Sequence, residues 1–163
     1  MIKYLIAMER EAQKFRKIIV PEGELYIIGI GAINLPRTTN DDILVNIGYA
    51  GGYKVSKGTV VEPGYVIDAE TRKKRKLNRY FDINSAVCFT SDLYLTKPLT
   101  FLRPSIYDME LYKIASIPHN KLFSLKIVSD SQNEAECEAY NDDKPWKEVE
   151  RLLRPLIKVQ NER

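Results

Sequence analysis

The sequence predicts an α/β protein with a central, largely buried β-sheet and helices on its faces. Predicted strands and helices alternate through much of the chain, which is typical of this fold class. Several strands are continuous apolar runs, such as "IKYLIAM" and "LFSLKIV", rather than alternating apolar and polar residues. Continuous runs indicate strands that are covered on both faces of a sheet.

The length of 163 residues favours one domain that spans residues 1–163. Hydrophobic residues make up 44% and charged residues 29%, and the net charge is +3, which does not indicate a nucleic-acid partner. No apolar run approaches the ~20 residues of a membrane span. The apolar run in the opening "MIKYLIAMERE" is too short for the hydrophobic region of a secretory signal, and charged residues follow it at once. We therefore expect a cytoplasmic protein with neither nucleic acid nor membrane as a partner.

The cysteines and the histidine do not form a metal-binding pattern. Cys88, Cys137 and His119 lie in unrelated contexts, and no CxxC pair is present. We expect no metal and no cofactor. Cys88 lies in the apolar run "SAVCFT" and is predicted to be buried. The cytoplasmic character of the chain favours free thiols over a disulfide.

Four elements are predicted in the first half of the chain. "IKYLIAM" is a strand and "EREAQKFRKII" a helix. "ELYIIGIG" and "DDILVNIGYAGG" are strands that end at glycines. A hairpin is then expected in "GTVVEPGYVIDAET", with Pro63 and Gly64 in its turn.

The second half contains two more strands and two helices. "SAVCFTS" and "LFSLKIVSDS" are predicted strands, and "YDMELYKIASI" is a predicted amphipathic helix ended by Pro118. "DKPWKEVERLLRPLIKV" is a C-terminal helix with Asp142 or Asp143 near its cap and Pro145 in its first turn. Pro155 is expected to kink or end it.

A basic run covers residues 72–79, where six of the eight side chains are cationic. Such a run is typical either of phosphate or nucleic-acid contact or of a solvated hairpin tip. No aromatic residues interleave with the charges, and this favours the hairpin tip.

Polar residues and glycines follow the ends of the predicted strands. Ligands of open α/β sheets bind at the carboxyl ends of the strands. The strand ends are therefore expected to converge on one edge of the sheet and to form a pocket for a polar small molecule there. The residues concerned are Glu9, Glu11, Gly29–Gly31, Asn46, Gly48–Gly52, Ser91, Asp92, Tyr94, Ser129, Asp130 and Ser131.

Six segments, in chain order, carry a family resemblance: "IAMERE", "IGIGAIN", "NIGYAGG", "FTSDLYL", "YDMELYKIA" and "IVSDS". Together they resemble motifs of the nucleoside phosphorylase and nucleosidase superfamily, and most closely those of the methylthioadenosine/S-adenosylhomocysteine nucleosidases. The resemblance implies a three-layer phosphorylase-like fold with a central mixed β-sheet flanked by helices. The chain is short for this family, so helices are trimmed around "LPRTTNDD" and before "SAVCFT". It also implies a possible homodimer.

The resemblance implies cleavage of an N-glycosidic bond. The leaving purine must gain a proton, the sugar develops positive charge, and a nucleophile completes the displacement. Asp130 matches the acid that protonates the purine at N7, and Glu11 matches the carboxylate that activates water. Without the resemblance, Asp130 would be a strand-end turn or helix N-cap, and Glu11 an exposed acid in the first turn of a helix.

The same resemblance assigns residues to the substrate. Glu110 matches the acid that binds the ribose hydroxyls, and Met109 the side chain on the ribose face. Tyr94 matches an aromatic ring that stacks on the purine, and Leu95 a residue whose backbone contacts the base edge. Core packing is the alternative for Met109 and Tyr94. Asp108 is expected to be a cap or a support.

Gly31, in the glycine turn, and Tyr49 complete the predicted substrate site. Tyr49 replaces a serine that helps to bind phosphate in the phosphorylases, and Asn46 stands where they have an arginine. A phosphate dianion needs donors and positive charge, which favours hydrolysis here unless Arg10 compensates. The alternatives are a nucleoside phosphorylase and a non-catalytic nucleoside-binding protein, because Tyr49 could crowd the nucleophile.

Overall fold

A nine-stranded mixed sheet and four helices make up the described part of the chain, residues 1–156 of a computed structural model. The strands are β1 Ile2–Ile6, β2 Glu24–Ile27, β3 Ile43–Tyr53, β4 Val60–Val61, β5 Tyr65–Asp68, β6 Lys74–Lys76, β7 Val87–Thr90, β8 Ser105–Asp108 and β9 Lys121–Asp130. The helices are α1 Glu9–Phe15, α2 Leu111–Ala115, α3 Glu134–Ala139 and α4 Lys144–Leu153.

The long strand β3 joins the two halves of the sheet, whose order is β2-β1-β3-β8-β7-β5-β6. β3 runs parallel to β1 and to β9, which in turn pairs with β4. Its last residues, 51–53, pair antiparallel with β8. Since β5, β7 and β8 are parallel to one another, two parallel groups of opposite direction meet at β3. The predicted mixed sheet is confirmed.

The two faces of the sheet are covered by different helices, which produces three layers. On one face, Tyr4 of β1 belongs to a buried cluster with Phe15 of α1 and Trp146 of α4. On the other face, Leu5 belongs to a cluster with Leu111 of α2. Adjacent residues of a strand point to opposite faces, so β1 has to be apolar at consecutive positions. The apolar runs of the sequence follow from this arrangement.

The strand ends do not share one sheet edge, which corrects the expectation taken from parallel sheets. β8 is antiparallel to β3, and Tyr107 of β8 lies opposite Gly51. The carboxyl end of β8, Asp108, therefore lies beside Ala50, near the carboxyl end of β3. Polar residues converge there because Gly51 of β3 pairs both with Tyr107 of β8 and with Asp130 of β9.

The predicted helix at "YDMELYKIASI" is wrong in its first part. Residues 105–108 form β8, which is hydrogen-bonded to β3 and β7, and α2 begins only at Leu111. The sheet satisfies the backbone polar groups of "SIYD" on both sides, so tertiary pairing overrides the helical spacing of the apolar residues. α2 ends at Ala115, before Pro118 as predicted.

The predicted hairpin at Pro63 and Gly64 is also wrong. β4 pairs with β9, whereas β5 pairs with β6 and β7, so the two strands that flank this turn do not pair with each other. The hairpin of this region is β5–β6, and the basic run forms its exposed second strand. Residues 72–79 are therefore mostly exposed, as predicted, but most of them lie on the second strand of the hairpin and beyond it rather than at its tip.

The helices differ from the sequence prediction in two further places. α3 was not expected, and no α3 residue is buried, so it lacks the apolar stripe that would indicate a helix. α4 has Asp143 at its N-cap and Pro145 in its first turn, and it ends before Pro155, as predicted. Residues 157–159 of that prediction lie outside the described residues. Within residues 1–156, the segments 28–42 and 77–86 contain no helix, in agreement with the expected trimming.

Candidate active site

A cavity of about 300 Å³ opens beside the middle of β3. Seven of the eight residues predicted for the site line it: Glu11, Tyr49, Tyr94, Leu95, Met109, Glu110 and Asp130. Gly31 lies behind this lining and donates its backbone N–H to Glu110. The structure thus brings together residues that are far apart in the sequence.

Glu11 connects α1 to β3. Its Oε1 accepts from the backbone N–H of Met8 at 3.0 Å, and its Oε2 accepts from the backbone N–H of Tyr49 at 2.6 Å. The side chain is 1% exposed. Burial raises the pKa of Glu11, while the two N–H donors and the charge of Lys126 oppose the shift. An exposed helix acid is therefore the wrong interpretation of this residue.

Gly48 makes the close approach of Glu11 possible. A Cβ atom at this position would lie 3.1 Å from Oε2 of Glu11 and 3.5 Å from Nζ of Lys126. The first glycine of "NIGYAGG" therefore leaves space that both the carboxylate and the ammonium group approach.

Glu110 is held by the glycine turn after β2. Its Oε2 accepts from the backbone N–H of Gly31 at 2.9 Å, and Gly31 has a φ of +78°, which favours glycine. The Gly31 carbonyl accepts from Nζ of Lys113 at 2.8 Å. Burial and the nearby charge of Asp108 raise the pKa of Glu110 to about 7, although Lys126 opposes the shift. The carboxyl group therefore titrates near neutral pH.

Lys126 is a buried cation of the site that sequence reasoning missed. It lies in β9, and its Nζ forms an ion pair with Oδ2 of Asp108 at 3.0 Å. Burial opposes the charge, but the carboxylates of Asp108 and Glu110 raise the pKa of Lys126. A lysine inside the otherwise apolar run "LFSLKIV" was the available signal, because lysine is almost never fully buried without a partner.

Asp108 supports the site rather than lining it with a free carboxylate. It accepts from the Thr90 hydroxyl at 2.6 Å and from the backbone N–H of Leu111, the first residue of α2, at 2.8 Å. Burial alone would raise the pKa of Asp108, but Lys126 and these donors hold it below its usual value. The expected role as a cap or support agrees with these contacts.

A β-bulge directs Asp130 toward the cavity. Ala50 pairs with Val128 and Gly51 with Asp130, so Ser129 is an extra residue in β9. A Cβ atom at Gly51 would lie 3.0 Å from Oδ2 of Asp130. The bulge and the glycine together place this carboxyl group next to β3.

Three donors surround the carboxyl group of Asp130, which is 1% exposed. Oδ1 accepts from the Ser129 hydroxyl at 2.6 Å. Oδ2 accepts from the Tyr94 hydroxyl at 2.5 Å and from the backbone N–H of Asn133 at 3.1 Å. Asn133, not Asp130, is the N-cap of α3, which corrects the helix-cap alternative.

Tyr49 contributes its backbone to the site and its ring to the core. The ring packs edge-on against Tyr140 and Trp146, at centroid distances of 5.3 and 5.9 Å. Its hydroxyl accepts from the indole N–H of Trp146 at 3.2 Å. The Arg10 guanidinium lies over the ring, 5.1 Å from its centroid. The tip of Tyr49 is thus fixed in the packing around α4.

The residues considered for phosphate binding already have protein partners. Arg10 donates to the carbonyl of Cys137 at 2.9 Å. Asn46 donates to the Leu5 carbonyl at 3.0 Å, and its Oδ1 accepts from Ser124 at 3.4 Å. Both side chains therefore hold structural elements together.

Other strand-end residues lie outside the cavity lining. Glu9 pairs with Arg16 at 2.6 Å, and Asp92 pairs with Lys113 at 2.7 Å, all four at the surface or near it.

Among residues 1–156, no three histidine, cysteine or acidic side chains are arranged to hold a metal ion. No helix in the same range is long and apolar enough to cross a membrane. Cys88 and Cys137 are free thiols.

Solved structures with the same fold include bacterial nucleosidases and a futalosine hydrolase. An MTAN protein of Chlamydia trachomatis, solved bound to MTA, superposes with a TM-score of 0.74 at 13% identity over 97% of each chain. The 5′-methylthioadenosine/S-adenosylhomocysteine nucleosidase of Neisseria meningitidis, in complex with methylthio-immucillin-A, gives 0.67 at 12% identity, over 96% of this chain and 98% of that one. The futalosine hydrolase of Helicobacter pylori gives 0.61 at 12% identity, over 90% and 95%.

The likeness to these proteins lies in the fold rather than in overall sequence identity. No protein-family model matches the chain. No curated protein matches it either. The fold implied by the six segments is confirmed by the solved structures. The chain has the fold of the methylthioadenosine/S-adenosylhomocysteine nucleosidases.

Proposed function

We propose that the protein is a nucleosidase that hydrolyses the N-glycosidic bond of a purine nucleoside such as methylthioadenosine or S-adenosylhomocysteine. One observation carries the proposal: Glu11, Glu110 and Asp130 come from three separate segments, are all buried, and line one cavity. Buried carboxylates are costly unless they are paired or functional, which makes their convergence informative. Solved neighbours with the same fold bind MTA or adenine.

The proposed reaction breaks the bond between C1′ of the sugar and N9 of the purine. Asp130 donates a proton to N7, so the bonding electron pair leaves with a neutral purine. Glu11 accepts a proton from water, and the water oxygen forms the new bond to C1′. The products are the free purine and the sugar with a hydroxyl at C1′. Proton transfer from Glu11 back to Asp130 through solvent restores the starting state.

Glu110 has two tasks in this scheme. Its carboxylate accepts hydrogen bonds from the vicinal ribose hydroxyls, and its charge stabilises the cationic sugar of the transition state. Both tasks need the ionised form. Because the pKa of Glu110 is raised to about 7, Lys126 assists by opposing a further rise. Met109 borders the same cavity and packs on the ribose.

Water is favoured over phosphate as the nucleophile. The carboxylates of Glu11 and Glu110 repel an anion, and the donors of Arg10 and Asn46 are engaged with the protein. The Tyr49 hydroxyl is bound by Trp146, so the ring does not have to crowd a water molecule beside Glu11.

Release of adenine from methylthioadenosine, measured with and without phosphate, tests the proposal. Equal release in both buffers supports hydrolysis, whereas release that requires phosphate identifies a phosphorylase. Absence of release, together with a raised melting temperature in the presence of methylthioadenosine, identifies a nucleoside-binding protein without catalysis. Either of the last two results contradicts the proposed reaction.

We also propose that the protein forms a homodimer and is located in the cytoplasm. Two apolar side chains at the cavity, Ile30 and Leu93, are 54% and 72% exposed. A second copy of the chain would cover such residues. Analytical ultracentrifugation tests the homodimer, since a monomer at micromolar concentration contradicts it.

A further inference from the structure

The carboxyl group of Asp130 has little hydrogen-bonding capacity left for a substrate. A carboxylate offers about four acceptor positions in its plane, two on each oxygen. Tyr94 and Asn133 fill both positions of Oδ2, and Ser129 fills one of Oδ1. One position remains, and it lies on Oδ1.

A 6-aminopurine needs two positions on this group. Along its Hoogsteen edge it presents N7 as an acceptor and the 6-amino group as a donor. A protonated carboxyl group matches this pair, because one oxygen donates its proton and the other accepts. The edge of the base therefore contacts both oxygens, and one of the present donors to Oδ2 has to leave.

Tyr94 is the donor that is able to leave. The Asn133 donor is a backbone N–H at the N-cap of α3, where the chain is fixed by the cap. Tyr94 belongs to the segment between β7 and β8, has no regular secondary structure, and is only half-buried. Its ring borders the cavity, so an incoming base would meet the ring directly.

We propose that the Tyr94 hydroxyl is a latch on Asp130, which it occupies in the empty site and leaves when a 6-aminopurine stacks on its ring. The inference rests on the proposed function, since it assigns Asp130 to the purine. It makes Tyr94 a positioning residue with two separate parts. The ring favours binding of the base, and the hydroxyl opposes it by competing for Oδ2.

The variant Tyr94→Phe separates these two parts because it keeps the ring and removes the hydroxyl. Binding of adenine, measured by isothermal titration calorimetry, should become about tenfold tighter, since no hydrogen bond between Tyr94 and Asp130 has to be broken. The matched control is Tyr65→Phe, a half-exposed tyrosine of β5 outside the cavity, which should leave the Kd unchanged. A Kd for adenine that is unchanged or higher in Tyr94→Phe overturns the latch and indicates a supporting hydroxyl.

A crystal structure of the wild-type protein with adenine provides a second measurement that needs no variant. The proposal predicts that the Tyr94 hydroxyl lies beyond hydrogen-bonding distance from Oδ2 of Asp130 in the complex. A retained hydrogen bond, with adenine bound at Asp130, overturns it. Failure of the wild-type protein to bind adenine contradicts the proposed function, and the latch with it. Binding by the wild type without the predicted change in Tyr94→Phe contradicts the latch alone.

Discussion

The ammonium group of Lys126 lies 3.0 Å from the carboxylate of Asp108, and both side chains are buried beside the candidate active site. Removal of one partner from a buried ion pair leaves an uncompensated charge in a medium of low dielectric. The pair also lies next to Glu110, so its two charges act on that carboxyl group with opposite signs.

The variant Asp108→Asn should lose much of the stability of the fold. The ammonium of Lys126 would then lack its counter-ion, at a cost of about 3–5 kcal/mol in the free energy of unfolding. Urea unfolding measures this change. The control is Asp92→Asn, because its ion pair with Lys113 is solvent-exposed and contributes about 1 kcal/mol or less. Equal, small losses in both variants would contradict a structural role for the buried pair.

The two members of the pair should shift the pH dependence of activity in opposite directions. The charge of Lys126 lowers the pKa of Glu110 and that of Asp108 raises it. Activity requires ionised Glu110, so kcat/KM should rise with pH around the pKa of about 7. Lys126→Met should move this rise to higher pH, and Asp108→Asn should move it to lower pH. Shifts of the same sign would show that the rise reports another group.

Glu110 should make the wild-type protein less stable as the pH rises. Its pKa is about 7 in the folded chain and 4.5 as a free side chain, so between these values the native state holds a proton that the unfolded state has lost. The resulting stabilisation is present at low pH and disappears as the pH rises through 7. Between pH 5.5 and 7.5 the free energy of unfolding should fall by about 2 kcal/mol from this group.

Glu110→Gln provides the test, since glutamine cannot titrate. Urea unfolding at both pH values should show a smaller fall than in the wild type. Glu11, whose pKa is also raised, contributes with the same sign and remains in the variant. An unchanged difference between the two pH values would rule out Glu110 as a source of the effect.

Gly48→Ala should reduce activity more than stability. The added methyl group would lie 3.1 Å from Oε2 of Glu11, so the carboxylate has to move by a few tenths of an ångström. A displaced base lowers kcat, while the fold loses little. Gly64→Ala is the control, because its nearest atom would be the Ser85 hydroxyl at 3.4 Å, an ordinary contact. Full activity of Gly48→Ala would show that Glu11 does not need its present position.

The fold could be predicted where local pattern and tertiary pairing agree. β1, β3 and β9 are buried on both faces, so their apolar runs identify them directly. Residues 105–108 and the turn at Gly64 could not be predicted, because the strands that pair with them are distant in the sequence. α3 has no buried face and therefore no periodic signal.

The carboxylates of the candidate site were predictable from the sequence, but Lys126 and the electrostatics of the site were not. The motifs around Glu11, Glu110 and Asp130 indicated three carboxylates, and all three line the cavity. Nothing in the sequence showed that the β-bulge at Ser129 redirects Asp130, since a bulge depends on the register with β3. The pairing of Lys126 with Asp108 depends likewise on the meeting of β8 and β9 at β3.

Adenine release from methylthioadenosine in phosphate-free buffer, compared between the wild-type protein and Asp130→Asn, tests the central claim most directly. The asparagine side chain has nearly the same shape but no proton to donate as an acid. We expect release by the wild type and a rate about 10²–10⁴-fold lower in Asp130→Asn, in a protein that still unfolds cooperatively. Full activity of Asp130→Asn would contradict the role of Asp130 as the acid that protonates the purine.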